Sequence, residues 1–226
     1  MAHLNQNDLA SMAHRKDPCM HRIGIDIGST ATKAVVIDEE DSLLEAIVCP
    51  TGFSSVDAAE RVRAELAARG YDASELPVVA TGYGRIAVPY AKSVVTEITC
   101  HGKGAAYLFG DDGVVLDIGG QDTKVIRLVH GKVVKFIMND KCSAGTGKFL
   151  EVMANRLAVS QTELSALARQ GKPTTISSMC TVFAESEVIS LIGKGAARED
   201  IANGVIESVV GRSQALSVQR PPTSTI

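Results

Sequence analysis

The octapeptide Asp117-Ile118-Gly119-Gly120-Gln121-Asp122-Thr123-Lys124 decides the fold, because an earlier stretch of the chain has the same frame. Asp26-Ile27-Gly28-Ser29-Thr30-Ala31-Thr32-Lys33 begins 91 residues earlier (117 − 26) and is identical at five of the eight positions. Each copy follows a short apolar run and leads into an alternating one. This pattern predicts a β-hairpin with a polar, glycine-containing tip. One copy would be ordinary hairpin chemistry, whereas two copies indicate duplication of one structural half.

The residue types at the two hairpin tips suit a phosphate chain and its metal ion. Glycine lets backbone amides approach phosphate oxygens, and we expect this of Gly28, Gly119 and Gly120. Further donors in the first copy are the hydroxyls of Ser29, Thr30 and Thr32 and the ammonium group of Lys33. Asp26 and Asp117 are the candidate Mg²⁺ ligands, and we expect them to bind the ion through water, because Mg²⁺ keeps part of its hydration shell. Two facing copies would clamp one triphosphate between two lobes.

Composition narrows the functional class. The chain has 226 residues, which predicts one or two domains, and 45% hydrophobic residues, which support a buried core. A net charge of −3 and a pI near 6.0 argue against a nucleic-acid or anionic membrane surface. Neither a bilayer-spanning run nor a secretory signal is present in the sequence, so we expect a cytoplasmic protein. In that setting the five cysteines favour metal ligands or core residues over disulfides.

The chain divides into four segments. Residues 1–21 are polar, contain three of the histidines and predict a disordered extension, with a weak metal-binding tail as a remote alternative. Residues 22–110 form the first α/β lobe, with helices predicted over 56–69 and 96–109. Residues 111–212 form the second lobe. Residues 213–226 contain two prolines and no apolar strand, which predicts a disordered tail.

Two short motifs in these lobes resemble a nucleotide-binding loop and a metal-binding pair. Gly145-Thr146-Gly147-Lys148 resembles a P-loop, but that motif requires a glycine where Cys142 stands, so we reject it. Glu97 and His101 are spaced i, i+4 on a predicted helix and would suit a metal. Without a third ligand, a solvated helix face is the favoured interpretation.

Cys142 and Cys180 each precede a predicted apolar helix. A helix N-terminus carries partial positive charge and free N–H groups, which favour a thiolate and bound anions. Two such thiolates would suit an iron–sulfur cluster, and a symmetric dimer would supply the four cysteines that a cubane needs. From spacing alone, two buried structural cysteines remain the favoured interpretation.

The paired hairpins resemble the phosphate loops of the superfamily of actin, sugar kinases and heat-shock chaperone ATPases. Further motifs resemble the activator components of 2-hydroxyacyl-CoA dehydratases, a family that includes the ATPase subunits of benzoyl-CoA reductase. The resemblance runs from Arg22 to Arg212 and rests, beyond the hairpins, on Thr81-Gly82-Tyr83-Gly84-Arg85, Glu97-Ile98-Thr99-Cys100-His101, Asn139-Asp140-Lys141-Cys142 with Ala144-Gly145-Thr146-Gly147, and Cys180-Thr181-Val182-Phe183-Ala184-Glu185-Ser186-Glu187.

The resemblance implies a duplicated actin-like (ribonuclease H-like) ATPase fold and an anaerobic electron donor driven by ATP hydrolysis. It implies a homodimer that binds one 4Fe-4S cluster, with Cys142 and Cys180 as the ligands from each chain and no ligand role for Cys19, Cys49 or Cys100. Ferredoxin or flavodoxin would reduce the protein, and an acyl-CoA dehydratase or reductase would accept the electron. Closure on ATP would change the angle of the helices that begin at the two cysteines. Gln121 is the candidate for orienting the attacking water, with Asp122 the alternative.

One departure from the family and two competing functions stay open. The family continues with an adenosine-binding strand and a Gly-Gly turn, which the segment after Arg212 lacks. The sequence therefore indicates a truncated or frameshifted second lobe, or an adenine pocket built otherwise. The competing functions are a small kinase, in which Asp122 deprotonates a hydroxyl substrate, and a non-enzymatic ATP sensor.

Overall fold

The computed structural model describes residues 21–178 and 180–218, and these form two compact units that divide between Glu97 and Ile98. Within the described residues there are eight strands and six α-helices. None of the helices in this part of the chain is long and apolar enough to cross a membrane.

The first unit is built on a mixed sheet. Its described strands are β1 (Arg22–Ile27), β2 (Ala31–Ile37), β3 (Leu43–Pro50), β4 (Val78–Thr81) and β5 (Ser93–Val94), in the order β3-β2-β1-β4-β5. Strand β1 pairs with β2 antiparallel and with β4 parallel. Helix α1 (Ser55–Ala68) covers one face through residues that include Val62 and Leu66. Ser54 caps the start of α1, and Gly70, at φ +88°, provides the left-handed residue that ends it.

The second unit combines a sheet with a helical layer. It contains α2 (Glu97–Phe109), β6 (Gly113–Ile118), β7 (Thr123–Val129), β8 (Lys132–Asn139), α3 (Gly147–Arg156), α4 (Gln161–Ala168), α5 (Thr181–Gly193) and α6 (Arg198–Val218). The described strands follow the order β6-β7-β8. Phe149 and Met153 of α3, Val188 of α5 and Val205 of α6 belong to one buried cluster, so the helices around both cysteines share a core.

The duplication predicted from the octapeptides is confirmed in the strand register. Ile27 faces Thr32 across the first hairpin, and Ile118 faces Thr123 across the second, at the same offset of 91 (118 − 27). The register of the following strand pair shifts after Val36 in one unit and after Arg127 in the other, again 91 residues apart (127 − 36). Each unit therefore begins with the same three-stranded meander, including its irregularity.

The two meanders differ in how their first strand is covered. Ile23, Ile25 and Ile27 of β1 are 2%, 1% and 0% exposed, because β4 pairs with β1 and α1 packs on the sheet. Their counterparts in β6, which pairs only with β7 within the described residues, are Val114, Leu116 and Ile118, at 66%, 45% and 45% exposed. Equivalent apolar positions are thus buried in one unit and exposed in the other.

Several boundaries differ from those expected from the sequence. The units divide after the first residue of α2 rather than after the helix, because Ile98 and Ala105 of this helix pack with Ile126 and Leu128 of the second sheet. Helix α6 continues through residues 213–218, where disorder was expected, and Ser213 on it is buried. The rest of that segment, 219–226, lies outside the described residues, as do residues 1–20. His21, assigned to the extension, is buried edge-on against the ring of Tyr71.

Candidate functional site

The first hairpin tip presents its hydroxyls and its lysine at the surface. The Gly28 amide donates to the carbonyl of Ala31 at 3.1 Å and closes the loop, while Ser29 and Thr30 are exposed. Lys33 Nζ lies 3.0 Å from Asp26 Oδ2 in an ion pair whose lysine side chain is 47% exposed. These side chains are available to an anion and its counter-ion.

Thr32 is placed differently from the other predicted phosphate contacts. It is fully buried, and its hydroxyl lies 2.9 Å from the hydroxyl of Thr51, which in turn donates to the carbonyl of Gly28 at 2.7 Å. The expected direct phosphate contact is therefore not provided by this geometry. Thr32 supports the loop from beneath, because a strand alternates its side chains between two faces and this face belongs to the interior.

A glycine-rich loop after β4 packs directly on the first hairpin tip. The amide of Gly84 donates to the carbonyl of Ile27 at 2.8 Å. Gly82 adopts φ +88°, and a Cβ there would lie 2.1 Å from Asp26 Oδ1 and 2.6 Å from the carbonyl oxygen of Ile27. A side chain at position 82 would therefore displace Asp26, which explains in physical terms why this loop requires glycine.

The second hairpin tip holds its lysine inside the protein. The Gly119 amide donates to the carbonyl of Asp122 at 2.8 Å, and Gln121 is exposed at the tip. Lys124 Nζ lies 2.7 Å from Asp122 Oδ1 and 3.6 Å from Asp117 Oδ2, with a side chain only 3% exposed. Lys124 thus bridges two carboxylates, whereas its counterpart Lys33 is exposed.

Asp117 has a second partner, His101, which the sequence predicted to lie on a solvated helix face. Nδ1 of His101 lies 2.6 Å from Asp117 Oδ2. Burial raises the pKa of the Asp117 carboxyl, but the hydrogen bond and charge of His101, together with the charge of Lys124, outweigh burial, and the net pKa is lowered. Glu97, the other member of the considered pair, instead lies 3.3 Å from Arg85. The pair therefore does not converge on a metal.

Backbone hydrogen bonds join the second tip to the segment that carries Cys142. The amides of Gly147 and Lys148, at the start of α3, donate to the carbonyls of Gly119 and Gly120 at 2.9 and 2.8 Å. The buried hydroxyl of Thr123 donates to the carbonyl of Gly145 at 2.9 Å. A displacement of the Gly119-Gly120 loop would therefore be passed directly to residues 145–148.

Cys142 and Cys180 line one cavity of about 530 Å³ in the second unit. Cys180 occupies the N-cap position of α5, and Cys142 lies in the loop that leads to Thr146, the N-cap of α3. The hydroxyls of the residues that follow the two cysteines, Ser143 and Thr181, are 3.0 Å apart. The two cysteine segments are therefore in direct contact.

The donor set of this cavity fits half of a thiolate-ligated cluster. A cluster of four irons is normally held by four cysteine thiolates, and this chain places two at one cavity. Among the described residues, no group of three or more metal-ligating His, Cys, Asp or Glu side chains occurs. Cys49 and Cys100 are free thiols that do not line the cavity, and Cys19 lies outside the described residues.

Four contributors to the two sites were not identified from sequence. They are His101 and Lys124 at the second tip, and Glu187 and Arg212 near the cysteines. The repeat itself held a signal for Lys124, because the lysine recurs in both octapeptides. The other three depend on contacts between residues distant in sequence, which no local pattern indicates.

Comparison with known proteins shows the family to which the chain belongs. The family model of the BadF/BadG/BcrA/BcrD ATPase family matches residues 23–223. The activator of lactoyl-CoA dehydratase from Anaerotignum propionicum is 42% identical over 201 residues, covering 88% of this chain and 78% of the relative. The crystal structure of component A of (R)-2-hydroxyglutaryl-CoA dehydratase from Acidaminococcus fermentans has a TM-score of 0.83 at 38% identity, covering 91% of this chain and 80% of the other.

A further solved structure was determined with a nucleotide analogue. The activator of the 2-hydroxyisocaproyl-CoA dehydratase from Clostridium difficile, with bound ADPNP, has a TM-score of 0.82 at 36% identity, covering 90% of this chain and 78% of the other. The fold and its two glycine-containing hairpin tips thus define an α/β protein of the actin-like ATPase class. Within that class, the chain belongs to the BadF/BadG/BcrA/BcrD ATPase family and is related to the activators of 2-hydroxyacyl-CoA dehydratases.

Proposed function

We propose that this protein is an ATP-hydrolysing activator that passes a low-potential electron to a 2-hydroxyacyl-CoA dehydratase or a related acyl-CoA reductase, such as a benzoyl-CoA reductase. The observation that carries the proposal is the cavity shared by Cys142 and Cys180. One wall of it, the segment around Gly145, is hydrogen-bonded to the second hairpin tip. The proposed phosphate loop and the two thiols thus belong to adjoining segments of one unit.

Cys142 and Cys180 are the proposed ligands of a 4Fe-4S cluster, completed by the same two cysteines of a second copy. When bound, such a cluster supplies reversible one-electron chemistry whose potential depends on hydrogen bonds and solvent exposure. The protein contributes two segments held together by the Ser143–Thr181 contact and the N-terminus of α5, which favours anionic ligands. Ferredoxin or flavodoxin is the proposed electron donor.

The two hairpin tips are the proposed phosphate loops for ATP and ADP. Ser29, Thr30 and Lys33 are exposed and would donate to phosphate oxygens, together with the amides of Gly28, Gly119 and Gly120. Asp26 is the better placed of the two candidate Mg²⁺ ligands, because its ion pair is with the exposed Lys33, whereas Asp117 is engaged by both His101 and the buried Lys124. Gln121, exposed at the second tip, would orient the attacking water, with Asp122 as the alternative.

Hydrogen bonds connect the proposed phosphate loop to the segment that follows Cys142, so that a change in the bound nucleotide would move this segment. A change in the contacts of Gly119 and Gly120 with phosphate would move the amides of Gly147 and Lys148, which they bind. Those amides begin α3, and Thr123 holds the preceding residues through the carbonyl of Gly145. The Cys142 segment would then shift as the loop shifts, which is the mechanical step that the proposed activity needs.

The kinase alternative has less support from the described residues. Asp122, its proposed base, is ion-paired with the buried Lys124 at 2.7 Å. A kinase function would also leave Cys142 and Cys180, which line one cavity, without a role. A kinase would transfer phosphate to a small hydroxyl compound and would be colourless, and these properties keep the two functions experimentally separable.

An electron-transfer assay tests the proposal. The protein is purified and reconstituted with iron and sulfide without oxygen, reduced with dithionite, freed of excess reductant and mixed with a 2-hydroxyacyl-CoA dehydratase. We expect rapid reoxidation with Mg-ATP and much slower reoxidation with a non-hydrolysable analogue, whereas the Cys180→Ser protein should hold no cluster that dithionite could reduce. Cys49→Ser, on β3, is the matched control and should behave as the unmodified protein. Nucleotide-independent reoxidation, or phosphate transfer to a hydroxyl compound by a colourless protein, would overturn it.

A further inference from the structure

Ser178, two residues before Cys180, is hydrogen-bonded through its amide, its hydroxyl and its carbonyl. Its amide and hydroxyl donate to Oε2 of Glu187 at 3.1 and 2.9 Å. Its carbonyl accepts from the guanidinium of Arg212. The amide of Ser177 also donates to Glu187, at 3.1 Å. Ser178 is thus held at each of its polar groups, and a residue held in this way is more rigid than one in an ordinary loop.

Glu187 belongs to the helix that Cys180 itself caps. Helix α5 begins at Thr181, so the Glu187 carboxylate lies near its second turn and binds back to the segment that enters the helix. The neighbouring Glu185 points elsewhere, to an ion pair with Arg156 of α3. Two glutamates on one helix thus make two different contacts, one to the Cys180 segment and one to the helix after Cys142.

Arg212 reaches both cysteine segments from α6. Besides the Ser178 carbonyl, its guanidinium carbon lies 5.6 Å from the ring centre of Phe149, in the first turn of α3. Gly145 packs so closely that a Cβ there would lie 3.3 Å from the Cβ of Arg212. Arg212 also lines the cavity that contains both thiols. Arg212 therefore contacts both the segment that follows Cys142 and the segment that leads to Cys180.

We propose that Glu187 and Arg212 are positioning residues that fix Cys180 relative to Cys142 by holding Ser178 from opposite sides. The assignment rests on the proposed function, because it gives the two cysteines a shared ligand. Residues that contact the surroundings of a metal ligand fix its orientation. A ligand side chain that is free to move binds its metal less tightly. Each residue acts through Ser178: Glu187 binds its amide and hydroxyl, and Arg212 binds its carbonyl.

The first test uses protein without a cluster, so it does not depend on the proposed function. The alkylation rate of Cys180 by iodoacetamide is followed by peptide mass spectrometry in Glu187→Ala, Arg212→Ala and Glu185→Ala proteins. Losing hydrogen bonds to a charged group should open the segment and raise the Cys180 rate by about 10-fold in the first two. Glu185→Ala, on the same helix, is the matched control and should leave the rate unchanged. Cys49 should react equally in all proteins.

The second test uses reconstituted protein and measures cluster loss to an iron chelator together with the electron paramagnetic resonance spectrum of the reduced cluster. We expect roughly 10-fold faster loss and altered g-values in Glu187→Ala and Arg212→Ala, but not in Glu185→Ala. If an alanine variant does not fold, Glu187→Gln and Arg212→Lys replace it and should change both readouts in the same direction by a smaller factor.

The outcomes separate this inference from the proposed function. If the unmodified protein takes up no cluster, the proposed function fails, while the alkylation rates still decide whether Ser178 is held as described. If the unmodified protein takes up a cluster and Cys180 reactivity, cluster loss and spectrum are the same in all folded variants, the positioning role is wrong. A change that Glu185→Ala shares would also overturn it, because it would then reflect general loosening of α5.

Discussion

The side-chain hydroxyls of Ser143 and Thr181 lie 3.0 Å apart, and each residue directly follows a cysteine in the chain. The contact joins a loop before α3 to the first residue of α5, 38 positions later (181 − 143). It is part-buried, so its loss would leave polar groups partly cut off from water. This hydrogen bond holds the segments of Cys142 and Cys180 side by side, and both cysteines line one cavity.

A double-mutant cycle on this pair tests whether the two segments are coupled. Ser143→Ala and Thr181→Val should each lower the free energy of unfolding by about 1 kcal/mol, and the double substitution should cost about as much as either alone. Urea unfolding followed by circular dichroism gives these values. Ser186→Ala removes a hydroxyl that bonds within α5 to the carbonyl of Val182 and serves as the control. Fully additive losses would show that the hydroxyls do not interact.

Gly82 and Gly70 offer a matched test of the contact with Asp26. Both adopt φ +88°, but only at Gly82 would a Cβ meet neighbouring atoms closer than 4 Å. Gly70→Ala should therefore lower the free energy of unfolding by about 1 kcal/mol, the cost of the backbone conformation. Gly82→Ala should cost at least about 3 kcal/mol, because overpacking adds to that cost.

The same two variants should differ in nucleotide binding. Displacing Asp26 in Gly82→Ala removes a proposed Mg²⁺ ligand, so the affinity for Mg-ADP measured by isothermal titration calorimetry should fall by at least about 10-fold. Gly70, at the end of α1, is not part of the proposed site, and its alanine variant should bind Mg-ADP normally. Equal stability and equal affinity in the two variants would contradict the described packing.

Equivalent strands of the two units should respond differently to polar substitution. Ile25→Thr with Ile27→Thr removes buried methyl groups and should lower the free energy of unfolding by roughly 2–4 kcal/mol. Leu116→Thr with Ile118→Thr alters side chains that are 45% exposed and should cost under about 1 kcal/mol. The substitutions in β6 should also reduce concentration-dependent association, measured by light scattering, because exposed apolar strands favour association. Similar stability losses in both pairs would show that β6 is covered.

The hydrogen bonds of Glu187 predict that the segment before Cys180 loses order at low pH. Burial raises the pKa of its carboxyl, but hydrogen bonds from Ser177 and Ser178 outweigh burial and lower the pKa below its ordinary value of 4.5. A lowered pKa in the folded state gives stability that is complete above 4.5 and is lost as the pH falls through the folded pKa. Thermal unfolding midpoints of the unmodified protein and Glu187→Gln should therefore differ at pH 7 and converge only as the pH falls through the lowered pKa, below 4.5. A difference that persists at low pH would contradict the assignment.

Local patterns were sufficient for the parts of the fold that depend on short sequence separations. The repeated octapeptides predicted both hairpins, since a strand, a four-residue tip and a returning strand are specified within one segment. The helix after Ser54 and its end before Gly70 followed from periodicity and capping. Helix α4 was missed, although Ser160 and Glu163 form a capping box that announces its start.

The remaining features depend on contacts that sequence periodicity does not encode. Helix α6 continues past Arg212 and places Ser213 in a buried position, although the sequence after Arg212 is polar. Thr32 matches the pattern of a phosphate contact but lies on the buried face of its strand. Arg212 lies 34 residues from the Ser178 carbonyl that it binds (212 − 178), so its position near the cysteines becomes visible only in the folded chain.

Native mass spectrometry of the protein reconstituted with iron and sulfide without oxygen tests the central claim most directly. The account predicts a species of two chains carrying one 4Fe-4S cluster, present in Cys49→Ser and Cys100→Ser proteins and lost in Cys142→Ser and Cys180→Ser proteins. A single chain without iron, or a cluster that survives replacement of both Cys142 and Cys180, would contradict it.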